Sequence, residues 1–444
     1  MNKQEDSHKI MPKLRFPEFQ MASGWEKQRL GTLGIFIRGL TYSASDISNE
    51  GLLVLRSSNI QNNQLVLNKD LVYVRKECET NLLLKTGDVV ICMSNGSKAL
   101  VGKNAEYKGN YLESITVGAF CSIFRSYSTF PKYLLKTDDY EKFVSLSIGG
   151  GNINNLKNSL LENYVVAIPT SPEEQQKIAD CLSSLDELIE LQEQKLAALK
   201  QHKKGLMQQL FPSHNDLQAS KQASKQASKQ ASKQASKQAS KQAVVYPKLR
   251  FPQFKNCKGW EVVELGSLFD KNIKNEKIDF FNKDKVLTVK LHTLGIVKNE
   301  RTDTLTGGAN YFYRKAGDFI FSKIDFLNGA FGIIPKELDG FCSSSDIPAF
   351  SFKPESNATF FMYWLEANYI DFKIERTGTS NTLKRISPNK LFAIELPTPS
   401  PEEQQAIADC LSSLDSLISE QNQHIGSLKA HKKGLMQQLF PTLQ

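Results

Sequence analysis

The 444-residue sequence holds many side chains able to transfer protons, bind metals or attack electrophiles, yet their spacing assembles no catalytic set. Its six histidines form no H-x-x-x-H or H-E-x-x-H pair, the spacing that would turn two imidazoles toward one metal ion. Its seven cysteines (Cys78, Cys92, Cys121, Cys181, Cys257, Cys342 and Cys410) are odd in number and contain no C-x-x-C, so neither a zinc site nor a disulfide framework is expected. Cys181 and Cys410 occupy matching positions on an apolar helix face and read as small buried hydrophobes. The nearest approach to a phosphate-binding loop, Gly96 to Asn104, has one residue too many between its glycines. It also carries Asn104 where a magnesium-binding hydroxyl is needed.

Five loops are instead dense in hydrogen-bonding groups. Leu55–Gln61 carries Arg56, Ser57 and Asn59, and Met93–Lys98, after the apolar strand Asp88–Cys92, carries Ser94, Asn95, Ser97 and Lys98. Gly149–Asn155 carries Asn152 and Asn154 behind three glycines that let backbone approach a phosphate or the following helix. Phe321–Gly332 carries Lys323 and Asn328, and Arg376–Arg385 carries Thr377, Thr379, Ser380, Asn381, Lys384 and Arg385. Such groups recognise rather than transform, being the donors and acceptors that hold phosphate oxygens and base edges. Each has a structural use as well: Arg56 and Asn59 would equally close a turn, and the 376–385 cluster would equally be a solvated loop.

The elements that must position these loops come from an internal duplication. Pro12-Lys13-Leu14-Arg15-Phe16-Pro17 recurs as Pro247-Lys248-Leu249-Arg250-Phe251-Pro252, each followed by Gly-Trp (Gly24-Trp25, Gly259-Trp260). Ser171–Pro212 recurs as Ser400–Pro441 with 32 of 42 positions identical. Between these landmarks residues 26–169 and 261–398 share almost nothing, so each half has a constant entry, a variable body and a constant exit.

The exit reads as a helix. Ser171-Pro172-Glu173-Glu174 supplies an N-cap serine, a first-turn proline, early acidic residues and Glu174 at the capping-box position. Apolar residues then follow at Ile178, Leu182, Leu185, Ile189, Leu196, Leu199, Leu206 and Leu210, repeated from Ile407 to Leu439, one stripe built to pack on another helix. About 40 residues make a rod of roughly 60 Å. Gln192 and Gln421 interrupt the stripe at one matching point, where a polar residue sets register or is simply half-exposed. The lysine pairs 203–204 and 432–433 read as solvated helix ends, with phosphate contact as the alternative. Two equal rods, each trailing a body of similar size, pack most simply antiparallel about a pseudo-twofold axis, with the bodies at opposite ends.

Net charge is +9, but +6 of it lies in residues 219–242, and the bodies are only mildly basic. Charge by itself is therefore weak evidence for a polyanion partner. No apolar run approaches membrane-spanning length and the first eleven residues lack the apolar stretch of a signal peptide, so a cytoplasmic protein is expected.

Taken together, the Pro-Lys-Leu-Arg-Phe-Pro entries, the Ser-Pro-Glu-Glu-Gln-Gln helix starts and the Gly-Leu-Met-Gln-Gln-Leu-Phe-Pro exits resemble the specificity subunit of type I restriction-modification enzymes, over essentially the whole chain. The resemblance implies two mixed α/β target recognition domains, separated by two long conserved helices packed as an antiparallel coiled coil with pseudo-twofold symmetry. Each domain would read one half of a bipartite site in double-stranded DNA, and the five polar loops become candidate DNA contacts. The segment near Arg56 and the Phe321–Gly332 stretch resemble segments of the family's recognition domains. The chain itself would be non-catalytic and hold no cofactor. S-adenosylmethionine would sit on two modification (methyltransferase) subunits, and ATP and Mg on the restriction (motor-nuclease) subunits. No Asp/Asn-Pro-Pro-Tyr/Phe segment and no glycine-rich methyl-donor loop is present, in keeping with that assignment. A coiled-coil scaffold joining two protein-binding modules, and a fused restriction-modification enzyme, are the competing readings.

The expected parts are a first recognition domain over 1–170, a central long helix over 171–218, a linker over 219–242, a second recognition domain over 243–398 and a C-terminal long helix over 399–444. The linker is six copies of Ala-Ser-Lys-Gln, compatible with helix yet repelled by a lysine at every fourth position. It is expected either to set the distance between the two readers or to serve as an inert tether.

Overall fold

The computed structural model describes residues 10–111, 113–148, 154–213, 216–223, 244–270, 276–301, 303, 305, 310–377 and 384–443. The chain divides into two compact units: Met1–Glu193 with Gln423–Gln444, and Gln194–Asn422. Both long helices, Pro172–Leu210 and Pro401–Leu439, are continuous through the point of division, near Gln192 and Gln421. Gln421 is buried and Gln192 half-buried.

In the first unit, a four-stranded antiparallel sheet runs in the order Asn104–Glu106, Val89–Cys92, Cys121–Ser126, Gly34–Arg38. A second sheet has the order Ile115–Val117, Leu52–Leu55, Val72–Val74, Ile47–Ser48, its first pair parallel. Strands Val89–Cys92 and Leu52–Leu55 are apolar on both faces, and Val89, Val90, Ile91, Leu53 and Leu55 are all buried. Strand Glu26–Arg29 pairs antiparallel with Val165–Ile168, which brings the constant entry beside the start of the first long helix.

The second unit repeats that closure with Glu261–Glu264 against Glu395–Thr398. Its body differs: Phe319–Phe321 lies between Phe331–Ile333 and Ala349–Phe350 over a phenylalanine-rich core that includes helix Ala358–Asn368. In both units the closing strands end one turn before a long helix, so the duplicated segments form a frame and the divergent strands fill it.

The apolar stripe is where the helices pair. In the first unit Lys432 meets Asp186 and Lys429 Nζ lies 2.6 Å from Glu193 Oε1, so the end of the second helix runs antiparallel to the start of the first. In the second unit Lys203 Nζ contacts both Asp415 carboxylate oxygens at 2.7 and 2.8 Å, while Met207, Leu210, Ile407 and Leu411 share one core. Lys203 and Lys432 are thus partners in helix pairing rather than solvated helix ends. Lys204 and Lys433 are exposed.

A short helix over residues 216–223 includes the first residues of the repeat tract, with Lys221 paired to Glu395. The remainder of the tract lies outside the described residues. Among the described residues no helix is long and apolar enough to cross a membrane.

Candidate functional site

Each variable body is anchored by a joint centred on duplicated residues, Arg15, Trp25 and Glu174 in the first unit and Arg250, Trp260 and Glu403 in the second. Arg15 donates from Nε and Nη2 to the two oxygens of Glu174 at 2.7 and 2.6 Å, and its remaining donors reach the carbonyls of Ala22 and Ser23 at 2.9 and 2.8 Å. Trp25 Nε1 donates to Glu174 Oε1 at 3.3 Å. In the second unit Arg250 grips Glu403 at 2.8 and 2.6 Å, and Trp260 Nε1 donates to Glu403 at 3.2 Å. Both arginines hold their protons more firmly than usual because of this carboxylate hydrogen bond. Glu174 therefore does not complete a capping box: Ser171 Oγ accepts from its backbone N–H at 3.2 Å, but its carboxylate is turned to Arg15. A fork-shaped guanidinium satisfies both oxygens of a buried carboxylate and leaves three donors for nearby carbonyls.

The same joint receives the tail of the other long helix. Leu14 N–H donates to Gln438 O and Leu249 N–H to Gln209 O, each at 3.0 Å. Trp25, Phe130 and Phe440 form one aromatic cluster, matched by Trp260, Phe360 and Phe211. Tyr133 Oη meets Ser183 Oγ at 2.7 Å, and Tyr363 Oη meets Ser412 Oγ at 3.3 Å. The exit motif thus closes on the body from the other half of the sequence. Sequence reasoning missed this role for Arg15, Trp25 and their copies, although Arg, Trp and Glu recur together in both halves. Tyr133 and Tyr363 lie in the divergent bodies and left no such signal.

In the first body the structure gathers three of the predicted loops into one surface. Asn95 Nδ2 donates to Ser57 Oγ at 3.0 Å, strand Ser94–Asn95 pairs with Asn154–Asn155, and Asn154 Nδ2 donates to Gly96 O at 3.2 Å. Ser97 N–H is turned back to Asn95 Oδ1 at 3.0 Å, which presents Ser97 and Lys98, both exposed. Ser94, Asn95, Ser57 and Asn154 are half-buried around that tip, and Arg56 is exposed with one bond to Asp70 O at 3.2 Å. Asn59 is a correction: it is buried and its amide serves the Val66 and Lys69 carbonyls at 3.3 and 3.1 Å, so it builds the loop from inside. Asn152 lies outside the described residues. The stretch from Gly96 to Asn104 turns between two antiparallel strands, not from strand to helix as a phosphate loop would.

In the second body Lys323 N–H donates to Asp346 O at 2.9 Å and Ile386 N–H to Lys323 O at 2.8 Å, joining the two predicted segments. Thr377 and Arg385 bridge each other through two 2.9 Å backbone bonds that close the loop's base. Arg385 is bound by Asp346 at 2.9 and 2.8 Å, and this contact holds the Asp346 carboxyl below its ordinary pKa. Two of its guanidinium donors thereby hold the loop, a structural role beside the contact role read from the sequence. Lys384 and Thr377 are exposed, and Lys323 is half-buried. Asn328 is exposed and bonded to Asp325 at 3.0 Å. Thr379, Ser380 and Asn381 lie outside the described residues.

These surfaces have donors, acceptors and lysines on short turns over buried strands, a composition suited to a hydrogen-bonding, anionic ligand. Comparison with known proteins points the same way. The family model described as the type I restriction modification DNA specificity domain matches residues 22–201 and 257–429. The type I restriction enzyme EcoKI specificity subunit of Escherichia coli strain K12 is 32% identical over 168 residues, 36% of this chain and 35% of that one. The chain thus spans about a third of the length of that relative. The MjaVIII specificity subunit of Methanocaldococcus jannaschii is 23% identical over 471 residues, 98% of this chain and 95% of its own. The crystal structure of a type I restriction-modification S subunit from M. genitalium has the same fold, with a TM-score of 0.54 and 15% identity over 98% of this chain and all of that one.

Proposed function

The chain belongs to the type I restriction modification DNA specificity family and carries two such domains, and from this premise we propose that it is the non-catalytic sequence-reading subunit of a methylating and cleaving complex. Each body reads one half of a bipartite target in double-stranded DNA. The long helices set the interval between the halves and dock two methyltransferase subunits, which bind S-adenosylmethionine; restriction subunits bring ATP and Mg. The reading is carried by one observation: the residues that join body to helices are the same in both units, while the polar surfaces they support differ completely. A frame held constant around two unlike contact surfaces is what a subunit needs if it offers the same face to two identical partners and reads two different half-sites.

The contacts proposed for the first half-site are Arg56, Ser57, Ser94, Asn95, Ser97, Lys98, Asn152 and Asn154. Those for the second are Lys323, Asn328, Thr377, Thr379, Ser380, Asn381 and Lys384. An electrophoretic shift of duplex DNA by the chain together with its methyltransferase is the direct test, using the motif found methylated in the host. A shift that ignores the motif would sink the proposal, and methyl transfer by the chain alone would point to a fused enzyme. Mapping methylated sites at four, six and eight Ala-Ser-Lys-Gln copies tests the linker separately, since an unchanged spacer leaves only an inert tether.

A further inference from the structure

The second body carries a hairpin that none of the predicted loops includes. Strand Leu287–Val289 pairs with Ile296–Lys298 in a register that leaves His292 and Thr293 as a two-residue loop. Leu294 N–H donates to Leu291 O at 3.2 Å, closing the turn. Both loop residues have φ of 57°, the mirror-image turn class that suits the twist of a hairpin. That class favours Asn-Gly or Asp-Gly because positive φ is disfavoured for most side chains and most of all for β-branched ones. His and Thr at these two positions work against the turn they occupy.

The tip is nonetheless held in place. His292 N–H donates to Asn328 O at 2.8 Å and Thr293 N–H to Gly329 O at 2.9 Å. Gly329 has φ of 77°, and a Cβ there would lie 3.0 Å from His292 Cα, so a side chain at 329 would push the tip away. Behind the tip, Leu287, Val289 and Ile296 are core residues. In front of it the side chains face outward: His292 is exposed, Leu294 is 70% exposed and Leu291 42%. Lys290 and Lys298 are exposed on the flanking strands. The apolar and cationic side chains of this strained, rigidly seated tip are thus turned largely to solvent rather than into the body. Strain of this kind concentrates where a ligand is held.

We propose that the Leu291–Leu294 tip is the ribbon with which the second body enters a groove of its DNA half-site. This rests on the function proposed above and adds a specificity-determining element to it. A two-stranded ribbon fits the major groove, and a leucine there contacts a thymine methyl group. Lys290 and Lys298 contact the flanking phosphates, and the His292 imidazole offers a donor and an acceptor to a base edge. DNA is favoured over a protein partner because the tip is seated on Asn328 and Gly329, in the polar segment that also carries Lys323 and that hydrogen-bonds through Lys323 O to Ile386, two residues from the exposed Lys384.

The test compares wild type with two variants, each as full chain assembled with its methyltransferase subunits. One is the double change His292→Asn with Thr293→Gly, which suits the turn; the other is Leu294→Ser, which alters an exposed side chain. The probes are a duplex bearing the motif methylated in the host and duplexes scrambled in one half or the other. The double variant is expected to melt at the same or a higher temperature. Both variants should bind the cognate duplex at least tenfold more weakly and lose preference for one half while keeping it for the other. Cognate affinity and both preferences within twofold of wild type would overturn the proposal. So would loss of complex assembly in place of DNA affinity, which would assign the tip to a protein surface. A wild-type complex that shows no preference at all would instead sink the parent reading, and this one with it.

Discussion

Arg15 and Glu174 meet through two hydrogen bonds of 2.7 and 2.6 Å with almost no water access, their side chains 5% and 1% exposed. The two residues lie 159 apart in the sequence, and the contact welds the constant entry to the first turn of the long helix. Arg250 and Glu403 repeat it in the other unit. Removing one member of such a pair leaves the other charge buried and unmatched, at a cost of about 3–5 kcal/mol. Arg15→Ala and Arg250→Ala should each destabilise the chain by that order in thermal or urea melts. Arg15→Lys should recover little, because an ammonium cannot reproduce the fork. A loss below about 1 kcal/mol for Arg15→Ala would mean that the aromatic cluster alone holds the joint.

Asn59 and Lys98 lie in the same polar surface and should behave oppositely. Asn59→Ala strips the Val66 and Lys69 carbonyls of their donor and should cost about 1–3 kcal/mol of stability. Lys98→Ala should leave the melting temperature unchanged but weaken binding to all duplexes alike and lower the salt slope by about 1. Melting curves and a salt titration of DNA binding separate the two; a salt slope untouched by Lys98→Ala would remove that residue from the contact surface.

Lys384 and Arg385 are neighbours with different tasks. Lys384→Ala is expected to reduce the salt slope by about 1 without a change in melting temperature. Arg385→Ala removes the partner of Asp346 and should loosen the base of the 377–385 loop, seen as faster amide exchange at Thr377 and Ile386. The Asp346 carboxyl has a folded pKa below its ordinary 3.8, so this pair contributes stability above about that pH and loses it as pH falls through the lower, folded value. Exchange at Thr377 that ignores both Arg385→Ala and acidification would show that the backbone bridge alone closes the loop.

Glu366 gives a pH dependence of the other sign. Burial raises its pKa above 4.5, with Lys203 opposing the rise and Asp415 adding to it. A carboxyl that keeps its proton longer in the folded state costs stability as pH climbs from about 4.5 to its folded value, and the cost persists above it. Glu366→Gln should therefore melt like wild type near pH 4 and about 1–3 °C higher at pH 7.5. A lower melting temperature at pH 7.5 would mean that attraction to Lys203, 3.8 Å away, outweighs the burial.

Much of this architecture is legible in the sequence. The duplicated entries and exits, the serine-capped helix starts and the continuous stripe from Ile178 to Leu210 follow local rules of spacing and propensity, and the two 39-residue helices appear where those rules put them. The candidate loops were also found by composition, because Asn, Ser, Lys and Arg crowd together over short stretches. Their individual roles were not legible. Asn59 and Lys98 are both polar residues on turns, and only their surroundings separate a buried amide bound to two carbonyls from a solvated ammonium.

Sequence alone determined that the molecule has two equivalent frames around two unlike bodies, since repetition and helical periodicity are properties of neighbouring residues. Tertiary structure decided what those frames are made of: Glu174 turning from its own cap to Arg15, Lys203 and Lys432 joining helices instead of facing solvent, and Phe211 and Phe440 closing on bodies encoded in the other half. It also placed His292 and Thr293 on a strained tip that composition gave no reason to notice. The physical reason is the same in each case. A charge, a ring or a backbone amide satisfies its bonding and burial with whatever the folded chain brings within a few ångströms, and that neighbour lies from tens to hundreds of residues away in the sequence.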